Sequence, residues 1–132
     1  LSEFHEQTGA AATLVLRADP RADEFGSMDI DAAGRIIRFL DTQASVAPTG
    51  AVRTLMFTGV QILEPQIFDY MSEGIRRRKF STTRDTYPRM LAGGERLYGF
   101  PFDGFWQDLG TPARIREAEQ KLHSGQARLH FL

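Results

Sequence analysis

Cysteine is absent from the 132 residues, so neither a disulfide nor a thiolate metal site is available, and cysteine usage leaves the redox compartment open. Long apolar runs are missing too. Residues 54–60 are typical of the apolar stretches, far short of the roughly 20 residues a membrane-spanning helix needs. Neither sign of charge is in excess: 16 Lys and Arg stand against 17 Asp and Glu, a net −1. That balance gives no electrostatic reason to expect nucleic acid or an acidic membrane as partner. There is no internal repeat and no low-complexity segment. What is present is 42% hydrophobic and 25% charged, ordinary for a soluble globular protein and enough for one small domain with a core. The opening Leu-Ser-Glu-Phe-His is neither a methionine start nor a signal peptide, and the expectation is a chain that is processed, cleaved or part of something longer.

Along the chain, residues 1–8 read as the end of an amphipathic helix with Leu1, Phe4 and His5 on one face and Gly9 as C-cap. Residues 11–17 are short, apolar and partly β-branched, the pattern of a buried strand. A loop at 19–23 precedes two strands, 25–30 and 35–40, joined by the turn Asp31-Ala32-Ala33-Gly34; the second alternates only loosely and reads as an edge or half-buried strand. Residues 41–50 are polar and irregular, broken by Pro48 and Gly50. Residues 52–63 carry the strongest strand signal, interrupted by Gly59, which implies a bulge or a close approach to the backbone. Glu64-Pro65 opens a helix carrying Ile67, Phe68 and Met71 that ends near Gly74.

Arg76-Arg77-Arg78-Lys79 reads first as a solvated loop and second as a phosphate or polyanion contact. Thr82-Thr83-Arg84-Asp85 fits a capping box with Thr82 as cap. Pro88 then demands a short turn and a second helical piece to Leu91, stopped by Gly93-Gly94. Residues 96–102 and 105–109 flank Asp103-Gly104 and predict a hairpin. Its aromatics, Tyr98, Phe100, Phe102, Phe105 and Trp106, read as core at period two rather than as base-stacking platforms. The last helix, 111–122, places Ile115, Ala118 and Leu122 on what reads as a single buried face; Ser124-Gly125 closes it.

The stretch Phe105-Trp106-Gln107-Asp108-Leu109-Gly110-Thr111-Pro112 organises these pieces. An aromatic strand runs into one carboxylate, glycine frees the backbone, and Thr-Pro opens a helix as N-cap and first residue. Asp108 is thereby expected at the carboxyl end of a strand, just outside a helix N-terminus, where open α/β sheets bind ligands.

Trp106-x-Asp108-x-Gly110-Thr111-Pro112 resembles a motif of the sugar-1-phosphate nucleotidyltransferases, the family of mannose-1-phosphate guanylyltransferase and glucose-1-phosphate thymidylyltransferase. Other landmarks resemble that family in the same order: Phe25-Gly26 with Asp31-x-x-Gly34-Arg35-Ile36, then Thr58-Gly59-Val60-Gln61-Ile62-Leu63-Glu64-Pro65, then Arg84 to Leu91 with Gly94 and Leu97. The resemblance implies an α/β chain forming part of a Rossmann-like nucleotide-diphospho-sugar transferase fold, a mixed sheet with flanking helices and a C-terminal β-hairpin plus helix. It implies that residues 1–125 are the C-terminal half of the catalytic domain, with 126–132 a tail or the start of a further segment. The family's Gly-rich phosphate loop and its G-D metal segment match nothing here.

The activity so implied joins a sugar 1-phosphate to a nucleoside triphosphate, giving an NDP-sugar and pyrophosphate. Asp108 would be one of two carboxylates holding a catalytic Mg²⁺; Gly26, Asp41, Gly59 and Trp106 would bind substrate. No further catalytic group is expected in this half, and the chain alone is expected to be inactive. One departure is plain: Asp41-Thr42-Gln43 stands where the family shows Glu-Lys-Pro, so the cation for the sugar phosphate is missing from its place, and Asp41 also reads simply as a polar residue opening a loop. The alternative is therefore a non-catalytic nucleotide-sugar-binding or regulatory domain on the same fold. Expected partners are nucleoside triphosphate and sugar 1-phosphate, with no nucleic acid and no membrane, in a cytoplasmic setting, and with association as a homo-oligomer or through an exposed sheet edge.

Overall fold

The structure is a computed structural model describing residues 1–20, 22, 26–71 and 81–128. Phe25, Gly74, the run Arg76-Arg77-Arg78-Lys79 and the end of the tail lie outside the described residues. The chain divides into two compact units, Leu1–Phe102 and Asp103–Leu132.

In the first unit a mixed sheet carries flanking helices. Helix α1 (Ser2–Thr8) ends at Gly9, whose N–H donates to the carbonyl of Glu6 and whose φ of 55°, which suits glycine, turns the chain so that the Ala10 N–H reaches the carbonyl of His5. Strand β1 (Ala12–Arg17) is buried over its first five residues, as a strand paired on both sides and covered on both faces must be. Strands β2 (Ser27–Ile30) and β3 (Ile36–Phe39) form the expected antiparallel pair. Their turn is built on Asp31, 3% exposed. Its Oδ1 accepts from the N–H of Ala33 and of Arg35, and its Oδ2 from that of Thr49 18 residues on. Three N–H donors offset the cost of burying that carboxylate.

Strand β4 (Thr42–Gln43) pairs with β3 and takes the sheet edge, so β3 is the half-buried strand of the two readings and not the edge strand. The two remaining strands are β5 (Arg53–Leu63) and β6 (Leu97–Pro101), and the sheet order is β4-β3-β2-β5-β1-β6. β5 lies in the interior of that order, as its apolar run predicts. It pairs antiparallel with β2 over Arg53 to Met56 and with β1 over Met56 to Leu63. The register with β1 shifts between Leu14 and Leu16, opposite Gly59 at φ 91°: this is the bulge expected there.

The hairpin expected at Asp103-Gly104 does not form. β6 pairs parallel with β1, and on its other side the Gly99 N–H donates to the carbonyl of Gly34 at 2.8 Å, with a bridge between Arg35 and Tyr98. Both edges of β6 are thus engaged, leaving no ladder for a returning strand. The sheet curls as a result. Leu97 and Gly99 face the core, while Tyr98 and Phe100 are half-buried and pack edge-on against Phe4 of α1, so these aromatics do not form the core the alternation suggested.

After β5 the chain makes a 3₁₀ turn (Pro65–Tyr70) rather than an α-helix. Ile67 is buried, but Phe68 is 69% exposed, against expectation, because a three-residue period does not bring both to one face. The next helical piece opens with a π-helical turn (Thr82–Thr86) capped by Ser81 instead of Thr82: the Ser81 hydroxyl accepts from the Arg84 N–H, and the Ser81 N–H donates to Asp85 at 2.8 Å. The wider turn removes the clash Pro88 would make with a regular one, and helix α2 (Tyr87–Ala92) follows. Tyr87 is fully buried against Phe39 and Phe57, and its hydroxyl donates to Gln61. Burial pushes that hydroxyl's pKa up. No helix among the described residues is long and apolar enough to cross a membrane.

The second unit is an irregular stretch followed by helix α3 (Pro112–His123). Thr111 is its N-cap, accepting from the Arg114 N–H at 3.3 Å, with Pro112 at the first position as expected. The expected apolar face is not buried as a whole. Ala118 is buried, but Ile115 and Leu122 are 43% and 38% exposed.

Candidate functional site

Gly26, Asp41 and Gly59 belong to the first unit, Trp106 and Asp108 to the second. Within the first unit, register gathers its three residues toward one end of the β2–β3 pair. Met28 pairs with Phe39, and the Leu40 N–H reaches back to the Ser27 carbonyl, so Gly26 and Asp41 flank the same level of the sheet. Ser27 in turn pairs with Met56, three residues before Gly59 on β5.

Leu40 joins the two sites. Its Cδ2 lies 3.5 Å from where a side chain on Gly26 would begin, and it holds φ at 50°, unusual for a non-glycine residue. The turn is braced by Arg38, whose Nη1 donates to the Leu40 carbonyl at 2.8 Å. Nothing in the sequence marks Leu40, since leucine carries no preference for that conformation. Gly59 is exposed, and a Cβ there would meet nothing within 4 Å among the described residues. Its surface is open, as a place of close approach requires.

Asp41 is exposed in the β3–β4 turn, with Thr42 and Gln43 following as strand. The cation near this turn, Arg38, grips Asp29 through Nε (2.6 Å) and Nη2 (2.9 Å), while Thr54 also donates to Asp29. Its hydrogen bonds hold the Asp29 carboxyl below the ordinary carboxylate range.

In the second unit Asp108 lies in the irregular stretch rather than at a strand end, three residues before the helix cap. Its Oδ1 accepts from the Gly110 N–H at 3.0 Å, and its Oδ2 is ion-paired with Arg114. A carboxylate has about four lone-pair sites, so this part-exposed group keeps acceptor capacity. Gly110 leaves room for it: a Cβ at 110 would lie 3.1 Å from Oδ1. Trp106 is half-buried in the same stretch. Gln107 is held from α3, its Nε2 donating to Glu117 and its Oε1 accepting from Lys121 Nζ at 2.8 Å. No three His, Cys, Asp or Glu side chains gather as a metal cluster among the described residues.

A second polar chain escaped the sequence reading. His5 Nδ1 is 2.8 Å from Thr13 Oγ1, and His5 Nε2 is 3.1 Å from Glu64 Oε1. It has the order of a hydroxyl–imidazole–carboxylate relay, but the Thr13 hydroxyl belongs to a fully buried residue. Its effect is to tie α1 to β1 and to the end of β5.

Comparison with known families matches residues 1–125 to Nucleotidyl transferase. Mannose-1-phosphate guanylyltransferase of Mycobacterium tuberculosis is 32% identical over 115 residues, 85% of this chain and 29% of that protein. Glucose-1-phosphate adenylyltransferase of Desulfitobacterium hafniense is 34% identical over 82% of the chain and 27% of its own length. UTP--glucose-1-phosphate uridylyltransferase of Synechocystis is 28% identical, again over 82% and 27%. The chain therefore belongs to the nucleotidyl transferase family, and it spans less than a third of the length of these curated relatives.

Proposed function

We propose that this chain is part of an enzyme that transfers a nucleotidyl group from a nucleoside triphosphate to a sugar 1-phosphate, releasing pyrophosphate. The observation that carries the reading is the family match over residues 1–125. The relatives named above differ in nucleobase but share a hexose 1-phosphate in their names. Their greater length supports a second element of the proposal: the phosphate-cradling loop and the other metal carboxylate belong to a different part of a longer protein, and the present chain is the C-terminal half of the catalytic domain.

Attack of a sugar-phosphate oxygen on the α-phosphorus needs positioning and charge neutralisation more than covalent participation by the protein. Gly26 and Gly59 admit the sugar to the backbone and Asp41 accepts from its hydroxyls; Trp106, in the second unit, is the other residue proposed to bind substrate. Asp108 suits Mg²⁺: it offers hard oxygen with acceptor capacity to spare, and Mg²⁺ takes one or two carboxylates beside water and phosphate oxygens. Such an ion would neutralise charge developing on the phosphoryl oxygens.

A second reading, a binding or regulatory domain without turnover, draws on Asp41-Thr42-Gln43, where Thr42 and Gln43 are used as strand and Arg38 is engaged by Asp29. Turnover by the full-length protein separates the two, and one variant tests the first. Asp108→Asn is expected to keep the fold and lower kcat/KM about a hundredfold or more, several kcal/mol at 1.36 kcal/mol per decade, with partial recovery at raised Mg²⁺. Nucleotide-sugar binding without measurable turnover in the wild type would favour the second reading.

A further inference from the structure

Helix α3 presents Arg114, Glu117 and Lys121 at spacings of three and four residues, along one stripe. Every member of that stripe touches the stretch before the helix. Arg114 pairs with Asp108, Glu117 accepts from Gln107, and Lys121 donates to Gln107 while pairing with Glu117 at 2.7 Å. Two consecutive residues are thus gripped from one helix face. Arg114 also stands at the wrong end of its helix: it is the third residue after the Thr111 cap, in the first turn, where the macrodipole favours acids and disfavours cations. Helix stability does not account for a cation there, whereas the carboxylate it meets does.

We infer that Arg114 is a positioning residue for Asp108, an inference resting on the reading of Asp108 as a cation-binding carboxylate. The Gly110 N–H takes Oδ1 and the guanidinium takes Oδ2, fixing the plane of the group, and the absent side chain at 110 leaves it room. The same positive charge weakens the hold of the carboxylate on a free divalent ion. Orientation and affinity therefore respond in opposite directions when Arg114 is neutralised, which a purely structural ion pair does not predict.

The test uses the full-length protein and two readouts: free Mn²⁺ bound in the absence of substrates, followed by electron paramagnetic resonance, and kcat at saturating Mg²⁺. R114Q is expected to bind Mn²⁺ about two- to fivefold more tightly, the range an exposed charge pair is worth, while kcat falls about tenfold or more from misplacement. R114K, keeping the charge but losing the planar fork, is expected to hold Mn²⁺ within about twofold of wild type and to retain an intermediate kcat. Wild-type Mn²⁺ affinity and kcat in R114Q, or a lower melting temperature with kcat unchanged in the folded protein, overturn the inference. Should R114Q fail to fold, R114K decides: reduced kcat at unchanged Mn²⁺ affinity supports it, wild-type kcat overturns it. D108N separates this from failure of the underlying reading, because Mn²⁺ binding and turnover that survive D108N would refute Asp108 as the cation ligand itself.

Discussion

The Thr58 hydroxyl donates to the backbone carbonyl of Val15 at 2.8 Å, across the point where β5 bulges at Gly59. The bulge takes Val15 out of the ladder register, and a side chain supplies the bond the backbone would otherwise make. Thr58→Val keeps the shape and removes the donor. It is expected to cost about 1–3 kcal/mol, since the buried carbonyl is left unsatisfied. Chemical denaturation that shows less than a few tenths of a kcal/mol of change would contradict this account of the bulge.

Gly59→Ala addresses the neighbouring residue and a different quantity. Among the described residues no atom lies within 4 Å of the added Cβ, so the stability cost expected there is backbone strain at φ 91°, about 1–3 kcal/mol. In the full-length protein the methyl would occupy the space proposed for the sugar. The expected result is a rise in KM for sugar 1-phosphate of about tenfold, with KM for the nucleotide little changed. Equal effects on both substrates would remove Gly59 from the proposed sugar site.

Gly99 differs from Gly59 in kind. A Cβ there would collide with Leu16 Cδ1 and lie 2.8 Å from Ile30 Cγ2, both fully buried. Gly99→Ala is expected to destabilise by about 1–3 kcal/mol through overpacking, read as a lower denaturation midpoint at unchanged m-value. A neutral result would mean that Leu16 and Ile30 repack freely.

The Asp29–Arg38 pair makes a pH prediction. Its lowered folded-state pKa means that its contribution to stability is complete above the unfolded value near pH 4 and is lost as pH falls through the folded value. Asp29→Asn is expected to be less stable than wild type by about 1 kcal/mol at neutral pH, with the gap closing in acid. A gap of constant size from pH 7 down to about pH 2 would show that the charge on Asp29 is immaterial.

Sequence made the locally encoded elements legible. The end of α1 at Gly9, the β2–β3 turn on Asp31, the broken helix around Pro88 and the Thr111-Pro112 helix start each depend on residues a few positions apart. What failed depends on neighbours distant in sequence. Asp103-Gly104 has hairpin chemistry, yet β6 is occupied by β1 and Gly34. Ile115 and Leu122 have core spacing, yet the organised side of α3 is its polar stripe. At the candidate site the resemblance points to Gly26, Asp41 and Gly59, and register supplies their nearness to Leu40 and Met56. Nothing local marks Leu40 or Arg114, because a left-handed leucine and a cation in a first helical turn both run against local preference.

Strand β5 is read by two partners in succession, β2 along its first part and β1 along the remainder, with Met56 common to both. A single-residue insertion between Thr54 and Met56 cannot be absorbed by sliding, because shifting one half into register throws the other out and turns its inward side chains to the opposite face. Residues 45–52, outside every strand, can lengthen without that conflict. Among natural variants of this chain, changes of length should therefore collect just ahead of β5, while β5 itself varies only by substitution.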